Sequence, residues 1–151
     1  MSTNKIPKVI FVDDELHLHE IVKLALEGDK DFSKYEMLHF YDGEECWEYL
    51  KEVELGREIL IFSDIIMPKM DGLRFHKKIK TFKPHIVFHF ISATKGSIGI
   101  DDNFSWSDTR FFQKPISFSA IKSEIRNFIY KNRVFFLLIF FYLYRIFRKL
   151  L

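Results

Sequence analysis

Cysteine is nearly absent from these 151 residues: Cys46 stands alone and cannot form an internal disulfide, which fits a reducing compartment. Six glycines and four prolines are too few for collagen-like or proline-rich classes. The first 30 residues hold no long apolar run, so no secretory signal is visible and the expected location is cytoplasmic. Charge of one sign is scarce as well. A net charge of +2 is too small to argue for nucleic acid, and no basic stripe accompanies a recognition helix. Residues 134–151 carry Arg145, Arg148 and Lys149 and no acid, a contribution of +3, which leaves −1 over residues 1–133.

What is plentiful is apolar. At 48% hydrophobic, with 18 phenylalanines, the chain reads as globular, and its length suits one domain. The expected organisation is a body over 1–133 and an apolar, aromatic, basic tail over 134–151 that is not a domain. Within the body, short apolar runs alternate with helical patterns. Strands are expected at 8–12 (KVIFV), 35–40 (YEMLHF), 58–65 (EILIFSDI), 86–91 (IVFHFI) and 109–112 (TRFF). The first helix begins at Glu15, with Leu16, Ile21, Leu24 and Ala25 close to a 3.6-residue period, and ends at Gly28-Asp29. A second runs from Asp42-Gly43 to about Leu50, with Trp47 and Leu50 on one side. A third covers 73–82, basic on its outer face. The segment 95–108 (KGSIGIDDNFSWSD) predicts only a short, irregular helix. A closing helix over 118–131 turns Ile121, Ile125, Phe128 and Ile129 inward. Such an alternation gives an α/β fold: a parallel sheet with helices on both faces.

In an open parallel sheet, functional groups gather at the carboxyl ends of the strands. Strand 1 ends in Asp13-Asp14, strand 3 in Asp64, strand 4 in Ser92, and strand 5 near Lys114. Three carboxylates on one rim repel, and a hard divalent ion with oxygen ligands resolves that repulsion; Mg²⁺ suits few carboxylates and several waters. A carboxylate beside such an ion can attack phosphorus and form an aspartyl phosphate. Phosphoryl transfer asks the protein mainly for positioning and charge neutralisation, which the ion, Lys114 and the Ser92 hydroxyl would supply.

These residues carry a resemblance. Asp13-Asp14, then Asp64 followed by Met67-Pro68-Lys69-Met70-Asp71-Gly72, then Ser92-Ala93, then Lys114-Pro115 resemble the response-regulator receiver domain of two-component signalling, over residues 7–131. Each piece alone is weak; the ordered set at strand ends is specific. The resemblance implies a flavodoxin-like, doubly wound five-stranded parallel sheet of order 2-1-3-4-5. It implies that Asp64 accepts a phosphoryl group from a sensor histidine kinase or histidine phosphotransfer protein. Mg²⁺ would be the cofactor, held by Asp13, Asp14, Asp64 and the backbone carbonyl of Ile66. Ser92 would hydrogen-bond the phosphoryl group, Lys114 would pair with it, and Pro115 is the cis-proline candidate. Phe111 stands where the family keeps its switch aromatic. Movement of Ser92 toward the phosphate, with the aromatic following inward, would remodel the surface of segment 95–108, strand 5 and the closing helix. Such a protein is a signalling switch and not an enzyme, beyond self-catalysed aspartyl phosphorylation and dephosphorylation.

The departures from the family pattern are informative. Phe111 has no hydroxyl. Ile66, two residues past Asp64, is apolar; it would shield a phosphoryl group from water, and it leaves no second aspartate there for a phosphohydrolase. With 18 residues after position 133, output is expected through a protein contact or relay, not through a DNA-binding or enzymatic domain. The alternative reading is a receiver-like binding module whose signal does not depend on phosphorylation.

The histidines do not add a metal site. His17 and His19 are two apart on a helix, and His85 and His89 have no companion ligand. Cys46 reads as a packing residue. In the tail, 134–144 (VFFLLIFFYLY) are consecutive apolar or aromatic residues, about 16 Å if helical. A bilayer core needs about 20. Three readings stand: a membrane-interface contact, which would make the chain membrane-associated; packing on a partner or second copy; or the accidental end of a truncated or frame-shifted reading frame.

Overall fold

Segments such as KVIFV and ILIFS are apolar at almost every position because the sheet they enter is covered on both faces, and every residue of both is buried. The computed structural model describes residues 6–54, 56, 58–93 and 108–150, with side chains beyond Lys131 described at Val134, Leu138 and Arg148. The elements are β1 (Lys8–Val12), α1 (Leu16–Leu26), β2 (Glu36–Phe40), α2 (Gly43–Glu52), β3 (Ile59–Ser63), α3 (Gly72–Phe82), β4 (Val87–Ser92), β5 (Phe111–Gln113) and α4 (Phe118–Leu150), with a 3-10 turn at Lys30–Lys34. All neighbouring strands are parallel, in the order β2-β1-β3-β4-β5. This is the flavodoxin-like sheet expected from the sequence.

Alternation along the strands feeds two cores. Ile10, Val12, Ile61, Phe88 and Phe90 meet Leu50 of α2 and Phe75 and Ile79 of α3. Val9, Phe11, Leu60 and Phe62 meet Val22 and Leu26 of α1 and Ile121, Ile125 and Phe128 of α4. At the β4 edge, the buried His89 holds the chain entering β5. Its Nδ1 accepts the Arg110 N–H (3.1 Å), its Nε2 lies 3.1 Å from Glu124 Oε1, and Arg110 Nη1 reaches Glu124 Oε2 at 2.6 Å.

Three elements differ from expectation. In α1 the buried face is His19, Val22 and Leu26, whereas Leu16, Ile21 and Leu24 are more than half exposed. Apolar residues surround this helix, so periodicity alone left its rotation open. Polar anchoring fixes it: His19 Nε2 lies 2.7 Å from the Asp13 carbonyl and its Nδ1 2.9 Å from His39 Nδ1. The fifth strand begins at Phe111, not Thr109, because the Thr109 hydroxyl is drawn toward His76 (3.2 Å) and the Arg110 N–H toward His89. The closing helix does not stop near Lys131. It runs to Leu150, since no glycine or proline interrupts 118–150. The irregular helix expected over 95–108 lies outside the described residues, apart from Asp108, which is in a turn.

Two enclosed imidazoles are held neutral. Burial pushes His39 down to about 4, helped by nearby His19, and burial does the same for His76, also to about 4. With His19 Nε2–H donating to the Asp13 carbonyl, His39 Nδ1–H donates to His19, and the buried His39 Nε2 is left without a partner. Unfolded histidines titrate near 6.5. Below that pH the unfolded chain takes up protons that the folded chain refuses, so the stability contributed by these residues is complete above about pH 6.5 and is lost toward about pH 4. We expect the urea midpoint to fall between about pH 7 and about pH 5, and His39→Gln to flatten that decline. Identical midpoints at the two pH values would contradict this account.

Candidate functional site

The parallel ladder carries the polar residues to one rim. Beyond the strand ends, the Asp13 N–H donates to the Phe40 carbonyl (3.0 Å), the Asp64 N–H to the Val12 carbonyl (2.8 Å) and the Lys114 N–H to the Ser92 carbonyl (3.0 Å). Backbone pairing therefore positions Asp13, Asp64 and Lys114 independently of their side-chain contacts. Asp13 is 1% exposed and Asp64 7%, whereas Asp14 faces solvent. Carboxylate oxygens of Asp13, Asp14 and Asp64 all lie within 4.8 Å of one another.

Lys114 is at the centre of this group. Its ammonium lies 2.7 Å from Asp64 Oδ2, 2.6 Å from Glu15 Oε1 and 2.9 Å from Asp13 Oδ2. Burial works against its charge, but the carboxylates of Asp64, Glu15 and Asp13 outweigh burial and hold the ammonium protonated well above the usual lysine range. The same contact lowers Glu15. Asp13 behaves differently: burial raises it, and the Lys114 and Glu15 contacts only partly offset that. Asp64 is held in place from its other oxygen, Oδ1, which accepts the N–H groups of Ile65 and Ile66.

One ammonium does not balance four carboxylates. Asp13 Oδ2 is buried and close to Lys114, yet it is out of line for a hydrogen bond and has no other donor. A buried carboxylate oxygen with no aligned hydrogen-bond donor, beside two further carboxylates and open to solvent through Asp14, fits a hard cation with oxygen ligands. The residues present therefore suit a divalent ion.

A second layer of contacts shapes the rim. Asp42 caps α2 by accepting the Glu44 N–H at Oδ1 (2.8 Å), while its Oδ2 accepts the Lys69 and Met70 N–H groups (3.0 and 3.3 Å). This one carboxylate thus fixes the loop that follows Asp64. Gly72 permits the loop to close: a Cβ there would lie 2.1 Å from the Asp64 carbonyl oxygen.

The sequence-predicted residues fall out as follows. Asp13, Asp14, Asp64 and Lys114 come together. Ser92 ends β4, 2% exposed, in register with Gln113. Pro115 follows a cis peptide bond. Ile66 is at the rim and 67% exposed. Phe111 does not join the polar group; it is half-buried in β5 opposite Phe90 and packs on the α2/α3 core. Sequence reasoning missed Glu15, Asp42, His19 and His39. Asp42 had a legible signal, a helix cap before glycine, but its grip on a loop 27 residues away did not. Among the described residues the acidic group is the one cluster suited to a metal, and the histidines form none.

Known proteins resemble this chain in sequence and fold. The family model for the response regulator receiver domain matches residues 9–126. The receiver protein CpdR of Brucella abortus is 23% identical over 122 residues, covering 81% of this chain and 96% of its own. Response regulator GtcR of Aneurinibacillus migulanus is 32% identical over 71 residues, covering 47% of this chain. The chain thus spans nearly all of CpdR but 26% of GtcR and 50% of PhoP of Bacillus subtilis. Among solved structures, the receiver domain of the hybrid histidine kinase CckA superposes with a TM-score of 0.62 at 26% identity, covering 80% of this chain and 97% of that one. The chemotaxis response regulator CheY4 of Vibrio cholerae gives 0.62 at 19%, with coverage of 82% and 98%.

The cation fit is measurable without any activity. At ten times its dissociation constant, an ion bound only by the folded chain adds about 1.4 kcal/mol, or roughly 3–6 °C in Tm for a domain of this size. We expect Mg²⁺ to raise Tm by that amount in the native chain and to leave Asp13→Asn unshifted. Equal shifts in both would place the ion elsewhere.

Proposed function

The chain belongs to the response regulator receiver domain family, and from that premise we propose that it takes a phosphoryl group onto Asp64 and uses it to switch a protein-interaction surface. The observation that carries this reading is the Lys114 ammonium shared between Asp64 and Asp13 at the carboxyl ends of the sheet. The family's modules are signalling switches, and the clustered Asp13, Asp14 and Asp64 are consistent with a phosphoacceptor pocket.

In the proposed transfer an Asp64 carboxylate oxygen forms the P–O bond as the P–N bond to a donor imidazole breaks. The imidazole keeps the electron pair and takes up a proton. Asp13, Asp14, Asp64 and the Ile66 carbonyl would hold Mg²⁺, which neutralises phosphoryl oxygens when bound. The two N–H groups on Asp64 Oδ1 keep the carboxylate oriented. Lys114 lets go of Glu15 or Asp13 to follow the new charge, and the Ser92 hydroxyl hydrogen-bonds it. Phe111, one strand pairing from Phe90, would report the change to the output face.

The proposed donor is a sensor histidine kinase or a histidine phosphotransfer protein, in the cytoplasm. The outer face of α1 supports such a partner. Leu16, Ile21 and Leu24 are exposed within one arc of about 140°, on the helix that starts directly after Asp13-Asp14. This is an apolar surface a partner helix can cover. Residues 1–133 would form the receiver body, with 134–151 a contact segment and not a domain.

Intact mass after incubation with Mg²⁺ and acetyl phosphate tests the chemistry. One phosphoryl mass should be gained, be lost with EDTA and be absent in Asp64→Asn. No gain in a folded chain that also fails to bind Mg²⁺ would sink the reading and favour the phosphorylation-independent binding module. Ile66 yields a further expectation. An apolar side chain at the rim slows the approach of water, so the phosphorylated form should persist for minutes or longer and decay faster in Ile66→Asn. A lifetime of seconds would refute the shielding role.

A further inference from the structure

Helix α4 joins two chemistries. Up to Lys131 its inward residues Ile121, Ile125 and Phe128 are buried in the core. Beyond Lys131 the helix continues unbroken to Leu150, roughly 28 Å at 1.5 Å per residue. Val134 and Leu138, four apart and therefore on one face, are 52% and 63% exposed. Positions 134–144 are apolar or aromatic without exception. Three helical turns of this kind put apolar residue types at every position around the axis, leaving no polar face.

The charges around this run have one sign. Glu124 is the last acid of the chain; after it come Arg126, Lys131 and Arg133, then Arg145, Arg148 and Lys149. Cations therefore bracket the apolar run at both ends, and Tyr142 and Tyr144 stand at its far end, residue types enriched at membrane–water boundaries.

We propose that residues 131–150 dock on an anionic lipid bilayer. None of the helices among the described residues is long and apolar enough to cross a membrane. The apolar run covers about half of a hydrocarbon core. Cations at both ends favour contact with anionic headgroups at both ends, their long stems reaching the headgroups from an apolar helix. Charge also selects lipid over a second copy of the chain. Two such segments side by side, parallel or antiparallel, would set cation against cation, whereas an anionic surface complements both ends. The inference rests on reading 134–151 as a contact segment and is independent of the phosphoryl chemistry at Asp64.

Flotation of the full chain with phosphatidylcholine vesicles, alone or mixed with phosphatidylglycerol, tests it. The chain should float with the anionic vesicles, poorly with the neutral ones, and about tenfold less at about 0.5 M salt, where surface attraction is screened. Leu138→Glu should float about tenfold less while still accepting a phosphoryl group, which reports a folded body. A chain that takes up phosphate but stays at the bottom with anionic vesicles overturns the proposal. Equal flotation with both vesicle types, or wild-type flotation by Leu138→Glu, does so too. A vesicle-free oligomer dissociated by Leu138→Glu, with no flotation, would assign the segment to a second copy. Flotation as expected, without phosphorylation, would sink the receiver chemistry and leave this inference standing.

Discussion

The Lys114 ammonium lies within 2.9 Å of carboxylates from Asp13, Glu15 and Asp64, residues that follow β1 and β3. Lys114 itself follows β5, at the far edge of the sheet from β2. One cation thereby links strand ends that the chain reaches over a separation of 99 residues. Remove that charge and the acids repel in a partly buried pocket, where Coulomb terms are several times stronger than in water. The rim is stable as drawn only because this ammonium is present, and it remains short of balance.

That shortfall is the chemical content of the site. Four carboxylates against one ammonium leave room for added positive charge, and a buried Asp13 oxygen without an aligned donor marks where it is wanted. Backbone ladder bonds set Asp13, Asp64 and Lys114, and the Asp42 carboxylate ties α2 to the loop after β3. The close approach at Gly72 lets that loop fold back over the Asp64 carbonyl. Backbone and loop contacts thus position the Asp64 carboxylate, while Lys114 and Glu15 meet at the rim through longer side chains.

The His19 and His39 pair shows how core packing reaches the site. His19 turns α1 so that its Nε2 meets the Asp13 carbonyl, and His39 supports it from β2. The cost is a buried ring nitrogen without a partner. The gain is a fixed rotation for a helix that is apolar on several sides, and with it an outer face of Leu16, Ile21 and Leu24 beside the acids.

The sequence by itself determined the sheet and the acids. Short, mostly apolar strands separated by helical periods imply a parallel sheet covered on both faces, and Asp13, Asp14, Asp64 and Lys114 were legible because a strand's carboxyl end is a place the chain's own order defines. Tertiary structure alone decided the rest. The rotation of α1 was not written in its periodicity, because hydrogen bonds from His19 to residues outside the helix selected among apolar faces. Glu15 and Asp42 became part of the site only when strands and loops far apart in sequence met. The length of α4 was open in the other sense: nothing in 118–150 stops a helix, and where such a helix ends depends on what surrounds it, not on residues within it.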